Sequence, residues 1–289
     1  MFNGVCTALV TPFRKNKVDL AALTKLLDFQ IDNRVDALCV LGTTGEATTL
    51  SFDEKIMIAK FCLARVGGHI PIIFGIGGNN PTEITKLGLA LKDIASTDKE
   101  FQISVMLTPP YYNKCTQAAA VKYFHQIADD IGLPMIVYNV PGRAGMNLEP
   151  ATLKKIATHP LVVGIKEASG SMSQIIDVVN SCPDISVYCG DDALSLPCYA
   201  VGCRGVISVA SNIRPVETRE IWRTHDAELF MSELPIYRAL FCEVNPGPIK
   251  YALSLKKLCS PEVRPPLTIL SKQSILQHGF RKFFVPTSG

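Results

Sequence analysis

The sequence predicts an α/β fold, a closed (β/α)8 or TIM barrel with a C-terminal helical extension. Eight short runs rich in β-branched residues recur along the chain, and each is continuously apolar, as strands covered on both faces are. Amphipathic stretches of helical spacing separate the runs. With 289 residues, the chain has room for one such barrel and an extension. An open, doubly wound sheet is the alternative that the same pattern allows.

The eight predicted strands are spread along the chain at the spacing of successive strand–helix units. They cover residues 5–11, 37–42, 71–77, 103–108, 135–140, 162–168, 185–190 and 205–211. Between the first three, residues 20–31 and 55–66 have the apolar spacing of helices. The chain therefore reads as eight strand–helix units in sequence.

Two helix starts carry recognisable capping residues. Ser51 with Glu54, and Asn80 with Glu83, have the spacing of a capping box. Pro81 occupies the favoured first helical position after Asn80. These residues predict helices that begin at about residues 52 and 81.

The last part of the chain has a helical pattern without strands. From about residue 228 onward it looks wholly helical, as residues 235–244 and 249–258 show. We expect residues 1–225 to form the barrel and residues 226–289 to form an extension packed on it, within one structural unit.

Composition excludes several classes of function. The net charge is only +3, without a run of five or six like charges, which argues against a nucleic-acid or anionic-membrane surface. No apolar run reaches the length of a membrane span, and residues 1–13 lack the charged region and apolar stretch that are typical of a signal peptide. None of the ten cysteines forms a C-x-x-C pair, and the five histidines share no metal-ligand spacing. We expect a cytoplasmic protein with reduced thiols and no metal.

Polar side chains follow or interrupt the apolar runs. In a barrel, the C-terminal strand ends and the loops after them meet on one face, where active sites lie. The residues that this rule brings together are Thr43, Thr44, Tyr111, Tyr112, Tyr138, Arg143, Lys166, Gly190, Ile207 and Ser208. One amine, several hydroxyls and one guanidinium therefore converge.

Lys166 is the most informative of these residues, because lysine is rarely buried unless it is paired or used. Burial disfavours the ammonium form, and a free amine attacks a ketone to form a Schiff base. Tyr138 can relay the protons of that reaction, and the turn around Thr43 and Thr44 can hold a small carboxylate. A ketone beside a carboxylate describes an α-keto acid such as pyruvate. The set predicts metal-free aldolase chemistry.

Less specific interpretations stand beside this one. Lys166 could reach solvent or pair with the adjacent Glu167, and Tyr138 could be an ordinary core tyrosine. The segment "GTTGE" could simply be a turn before the helix capped by Ser51. Two glycine-rich segments resemble nucleotide-binding loops, but residues 75–80 lack the last glycine of the dinucleotide motif, and "GTTGEATT" lacks the lysine of a P-loop.

Six motifs occur in a characteristic order along the chain. They are "GTTGE", "TPPYYNK", "YNVPGR", "GIKEASG", "GDD" and "GVISV". The chain thereby resembles the dihydrodipicolinate synthase / N-acetylneuraminate lyase family of class I aldolase barrels, from its N-terminus to about residue 260. Arg143, five residues after Tyr138, matches the synthase branch, which uses an arginine there to bind the second substrate's carboxylate.

The resemblance implies a role for each matched residue. Lys166 would form the Schiff base with pyruvate, and Tyr138 would relay protons. Thr43 would connect Tyr138 with Tyr112, which would reach in from a neighbouring subunit. The family's usual form is a homotetramer built from two tight dimers.

The remaining matched residues would bind substrate. Thr43 and Thr44 would hold the pyruvate carboxylate, and Arg143 would hold the carboxylate of L-aspartate 4-semialdehyde. The carbonyls of Gly190 and Ile207 would border the pocket. The implied reaction is the committing condensation toward diaminopimelate and lysine, and it needs no cofactor beyond the covalent Schiff base.

The resemblance also implies a regulatory site. Many synthases of this family bind lysine at a dimer interface, and Asn79, Glu83 and Tyr111 match polar positions of that site. Phe52 and Lys55 stand where strongly inhibited enzymes tend to carry histidines. We therefore expect weak or absent inhibition by lysine.

Three other functions compete with this one. An N-acetylneuraminate or 2-keto-3-deoxy-sugar-acid lyase would share the mechanism, but it would favour small or hydroxyl-bearing groups at the position of Arg143. A pyruvate-binding regulatory module should have lost part of the relay, yet all its members are present. A phosphate-binding isomerase barrel is disfavoured because "CGDDALS" is acidic where phosphate would bind.

Overall fold

The computed structural model, which describes residues 1–284, is a closed barrel of eight parallel strands. The strands are β1 (Gly4–Ala8), β2 (Ala37–Val40), β3 (Ile72–Gly75), β4 (Ile103–Leu107), β5 (Met135–Asn139), β6 (Val162–Glu167), β7 (Ser186–Cys189) and β8 (Gly205–Ser208). Each strand pairs with its neighbours in chain order, and β1 pairs with both β2 and β8. This closure confirms the predicted barrel and excludes the open sheet.

Each strand is shorter than the apolar run that predicts it. The second run continues through Leu41 and Gly42, but β2 ends at Val40 because Leu41 has a φ of 58°, in the left-handed region. The third run also extends past its strand, because Ile76 and Gly77 follow the end of β3. The ends of the apolar runs thus form the loops that shape the face of the barrel.

Helices surround the barrel, and each strand is followed by one of them along the chain. They are α1 (Leu20–Asp32), α2 (Phe52–Val66), α3 (Pro81–Ala95), α4 (Gln117–Ile131), α5 (Pro150–Ile156), α6 (Met172–Ser181), α7 (Ser195–Ala200) and α8 (Pro215–Thr224). A short hairpin, Phe13–Arg14 with Lys17–Val18, follows β1. A single helical turn, Pro141–Ala144, follows β5.

The predicted helix starts are found, with one difference in capping. Ser51 and Glu54 form a reciprocal capping box at the start of α2. Asn80 caps α3 by accepting the backbone N–H of Thr82 at 3.1 Å, so it binds one residue earlier than a capping box requires. The shorter reach is usual for asparagine, whose side chain forms tight local turns.

Apolar side chains fill two layers. Inside the barrel lie residues from alternate positions of the strands, among them Cys39, Met106, Tyr138 and Ile207. A larger layer packs the outer faces of the strands against the helices. This alternation decides which side chains can enter the interior.

The extension contains α9 (Ala227–Ala239), α10 (Gly247–Leu255), α11 (Lys272–Gln277) and α12 (Phe280–Phe284). The prediction that it is wholly helical is wrong for residues 240–246, which connect α9 to α10, and for the longer segment 256–271. Pro261, Pro265 and Pro266 interrupt this segment, and proline cannot donate a helical hydrogen bond. Residues 285–289, which the prediction also covered, lie outside the described residues. Along residues 1–284, no helix has the length and apolarity to cross a membrane.

Candidate active site

Lys166 lies at the C-terminal end of β6, with its side chain inside the barrel. The residue is 6% exposed, and its Nζ lies 4.2 Å from the ring centroid of Tyr138. The two residues are register partners on adjacent strands, β5 and β6. Lys166 makes neither an ion pair nor a side-chain hydrogen bond with any other residue from 1 to 284. The amine and the phenol ring are therefore fixed side by side without a competing carboxylate.

Glu167 does not pair with Lys166, because adjacent strand residues point to opposite faces. Its buried carboxylate faces the helix layer. There it accepts hydrogen bonds from Asn139 Nδ2 at 2.9 Å, Gln174 Nε2 at 3.0 Å and the backbone N–H of Ser169 at 2.7 Å. Glu167 thus joins β5, β6 and α6, and the alternative in which it neutralises Lys166 is excluded.

A cavity of about 400 Å³ opens above Lys166. It is bounded by the loops after several strands and by the extension. The polar or ionisable residues in its wall are Cys39, Thr43, Thr44, Tyr138, Arg143, Lys166, Asp191, Tyr237, Arg238 and Asn245. The structure therefore brings together the predicted amine, phenol, hydroxyls and guanidinium.

Thr43 and Thr44 lie in a tight turn after β2. The backbone N–H of Gly45 donates to the carbonyl of Gly42, and that of Glu46 donates to the carbonyl of Thr43. Thr44 is buried, and its Oγ1 accepts a hydrogen bond from Asn245 Nδ2 at 2.9 Å. Within the described chain, no hydrogen bond joins Thr43 to Tyr138, although both line the cavity.

Arg143 lies at the mouth of the cavity, on the single helical turn after β5. It is exposed, and its Nη2 donates to the backbone carbonyl of Asn245 at 3.4 Å. Its other guanidinium N–H groups have no hydrogen-bond partner among residues 1–284. They remain open to an anion that enters from solvent.

Gly190 borders the cavity. A Cβ at this position would lie 2.6 Å from the Cβ of Ala168 and 3.1 Å from the Cε of Lys166, so glycine keeps space beside the lysine. Ile207 is instead packed in the inner core with Tyr138, and the cavity wall does not include it. Val209, two residues later, lines the cavity.

Tyr112 does not reach the cavity of its own chain. It is 88% exposed, with a φ of 71°, in the loop after β4. Tyr111 is half-buried and lines a crevice that adjoins the cavity and shares Thr43 and Tyr138 with it. The two neighbouring tyrosines thus lie on different surfaces of the chain.

The residues matched to a lysine site lie outside the cavity. Asn79 and Glu83 are exposed at the start of α3. Lys55, on α2, is half-buried. Burial lowers its pKa, while the carboxylate of Glu83 acts in the opposite direction. A cation of the chain itself therefore stands close to Glu83.

Sequence reasoning assigned no role to two polar residues near the cavity. Asn245 contacts both Thr44 and Arg143, but it lies about 200 residues from Thr44 along the chain. Asp192 is fully buried and accepts hydrogen bonds from Ser208 Oγ and from the backbone N–H groups of Val209 and Ala210. Burial raises the pKa of Asp192 to about 6. In the sequence, Asn245 is visible only as an asparagine in an apolar extension, and Asp192 only as the second acid of "GDD".

Neither signal specifies a partner. In residues 1–284, no group of three or more histidine, cysteine, aspartate or glutamate side chains is arranged to hold a metal ion.

Comparison with known proteins identifies the family. A model of the dihydrodipicolinate synthetase family matches residues 1–279. The 4-hydroxy-tetrahydrodipicolinate synthase of Geobacter metallireducens is 42% identical over 275 residues, 92% of this chain and 93% of that protein. The crystal structure of dihydrodipicolinate synthase from Aquifex aeolicus matches with a TM-score of 0.93 at 34% identity, and 100% of each chain is covered.

A monomeric dihydrodipicolinate synthase variant has nearly the same fold. It matches with a TM-score of 0.92 at 36% identity, over 97% of this chain and 96% of that one. The chain belongs to the dihydrodipicolinate synthetase family.

Proposed function

We propose that the chain catalyses the 4-hydroxy-tetrahydrodipicolinate synthase reaction, the condensation of pyruvate with L-aspartate 4-semialdehyde. The observation that carries the proposal is the unpaired amine of Lys166 inside the barrel, 4.2 Å from the ring centroid of Tyr138 and open to a cavity. Relatives that carry the synthase name, at about 40% identity over most of the chain, support the same activity.

The first half of the reaction forms an imine. Lys166 Nζ attacks the keto carbon of pyruvate, and Tyr138 protonates the departing hydroxyl, which leaves as water. The iminium withdraws electrons from the neighbouring methyl carbon, which loses a proton and becomes the nucleophilic carbon of an enamine. Thr43 and Thr44 hold the pyruvate carboxylate during these steps.

The second half joins the two substrates. The enamine carbon attacks the aldehyde carbon, and Tyr138 supplies the proton that the aldehyde oxygen needs. The amino group of the second substrate then attacks the iminium carbon, closes a six-membered ring and releases Lys166. One water leaves for each pair of substrates, and no cofactor takes part, because the imine itself is the electron sink.

Arg143 selects the second substrate in this proposal. Its unpaired N–H groups at the cavity mouth suit a carboxylate, which a guanidinium binds through two parallel hydrogen bonds. A sugar aldehyde would leave this cation without its anion. The synthase is therefore favoured over an N-acetylneuraminate or 2-keto-3-deoxy-sugar-acid lyase.

The catalytic assignment is tested by trapping and by a substrate panel. Borohydride with pyruvate should add one reduced pyruvate to Lys166, which peptide mass spectrometry detects, and Lys166→Met should not be modified. Turnover should occur with L-aspartate 4-semialdehyde and not with N-acetylmannosamine. Turnover only with the sugar would replace the proposed substrate, and absence of the adduct would refute the mechanism.

We propose that the active unit is at least a dimer, within a homotetramer of two tight dimers. Tyr112 is 88% exposed in a single chain, in the loop after β4. An exposed tyrosine of this kind suits a partner's cavity, where its hydroxyl would extend the relay through Thr43.

Mixed dimers test the shared site. Tyr112→Phe and Lys166→Met chains, co-expressed with different tags, should give dimers with one complete site. Activity should then be about a quarter of wild type in a random mixture. A mixture no more active than the average of its parents would refute the shared site.

We propose a reducing cytoplasm as the setting. All ten cysteines are free of disulfides, and seven of them are buried. Such thiols are typical of proteins in reducing compartments.

A further inference from the structure

A buried ion pair connects the loop after β2 to the extension. Glu46 follows Thr44 by two residues, and its side chain is 1% exposed. Lys250, on α10, is 0% exposed, and its Nζ binds Glu46 Oε1. Removing two charges from water offsets most of their mutual attraction, so such a pair is weak evidence for a purely stabilising role. Its place beside Thr43 and Thr44 points to another one.

Both partners of the pair are also held by the non-helical segment 256–271. Glu46 Oε2 accepts the backbone N–H of Arg264 at 2.9 Å, and Lys250 Nζ donates to the backbone carbonyl of Glu262 at 2.9 Å. Lys250 Nζ lies 4.1 Å from the ring centroid of Phe13, in cation–π contact. The interrupted part of the extension therefore encloses the carboxylate of Glu46.

A second connection runs from the extension to the same loop. Asn245 Nδ2 donates to Thr44 Oγ1 at 2.9 Å, just before α10. The loop needs such restraint because Leu41 and Glu46 have φ values of 58° and 53°, in the left-handed region. Non-glycine residues stay in that region only where their surroundings fix them.

We propose that the Glu46–Lys250 pair positions the loop for the carboxylate of the keto acid, so that the extension is part of the pyruvate site. Glu46 and Lys250 are positioning residues, because they act on the substrate through Thr43 and Thr44. This inference rests on the proposed function, in which those threonines bind pyruvate.

The test removes both charges together. Glu46→Gln with Lys250→Met keeps similar side-chain volumes and leaves no unpaired buried charge. Lys250→Met alone would leave the buried carboxylate of Glu46 without its partner. The matched control is Arg214→Met with Glu233→Gln, which removes the ion pair between α9 and the start of α8. That pair makes no hydrogen bond with the loop after β2.

The readouts are the pyruvate concentration for half-maximal borohydride trapping, the steady-state constants and the melting temperature. The double variant should need about tenfold more pyruvate, equivalent to about 1.4 kcal/mol. Its kcat at saturating pyruvate and its KM for the aldehyde should stay within about twofold of wild type. The control should leave the pyruvate dependence unchanged.

Two outcomes would overturn the inference. One is wild-type pyruvate dependence in the double variant, and the other is an equal loss in the control, which would indicate general destabilisation. Should the double variant not fold, Lys250→Arg keeps the charge but alters its reach, and it should raise the pyruvate KM about threefold. An unchanged KM there would also overturn the inference. Absence of trapping in wild type would instead refute the proposed function.

Discussion

Asp192 offers a quantitative test of how the loops above the barrel are held together. It follows β7, and its buried carboxylate accepts hydrogen bonds from Ser208, Val209 and Ala210 at the end of β8. Burial raises its pKa from 3.8 to about 6, although these hydrogen bonds act in the opposite direction. This difference in pKa corresponds to about 3 kcal/mol in the free energy of unfolding.

The sign of the pH dependence follows from the raised pKa. Between pH 4 and pH 6 the folded state holds the proton of Asp192 more tightly than the unfolded state does. Its stabilising contribution is therefore complete below about pH 4 and is lost as the pH rises through about 6. At neutral pH the ionised carboxylate makes the folded state less stable than a neutral group of the same shape would.

Asp192→Asn supplies such a group. The amide oxygen can accept the two backbone N–H groups, and the amide nitrogen can donate to Ser208 Oγ. At pH 7.5 the variant should be more stable than wild type by up to about 3 kcal/mol, and the difference should approach zero near pH 4.

Equilibrium urea unfolding at pH 4, 5, 6 and 7.5, at one protein concentration, measures the difference between variant and wild type. Asp130→Asn, at an exposed position near the end of α4, is the control and should show no such trend. A difference that is constant across this range, or a variant that loses stability relative to wild type as the pH rises, would refute the account of Asp192.

Three further predictions concern the site. Tyr138→Phe should lower kcat by a factor of about 10² to 10³, within the usual contribution of a general acid–base group. It should also slow borohydride trapping of pyruvate, while the circular dichroism spectrum shows that the fold is kept. Arg143→Ala should raise the KM for the aldehyde about tenfold or more and leave the KM for pyruvate unchanged, because it removes a charge-assisted hydrogen-bond donor. Lysine at micromolar concentration should not inhibit initial rates, whereas Phe52→His with Lys55→His should increase sensitivity to it.

The barrel and the positions of Lys166 and Tyr138 were predictable because they depend on local sequence. Continuous apolar runs predict buried parallel strands, and the polar residue that ends a run falls on the face where the loops meet. Lys166 and Tyr138 lie in the strands themselves, so their positions follow from register and alternation. The separation of Lys166 from Glu167 follows from the same alternation.

The contacts that hold the site together were not predictable from sequence. Asn245 and Lys250 are each about 200 residues from their partners on the loop after β2, and no local pattern pairs them. The helical pattern of the extension also obscured the non-helical segment 256–271. Prolines interrupt this segment, and its Arg264 contacts the loop after β2. Such contacts depend on tertiary packing, which overrides local propensity.

The residues of the site stand either on barrel strands or on loops held by the extension, and this difference implies different kinetic roles. Lys166 and Tyr138 stand on adjacent rigid strands, so changes there should act on the chemical step. Thr43, Thr44 and Arg143 stand on loops, which the extension restrains through Asn245 and Lys250. If these loops bind the two carboxylates as proposed, changes in the extension should alter KM values more than kcat. Under the proposed function, the extension thus acts on substrate recognition, while the barrel supplies the reacting groups.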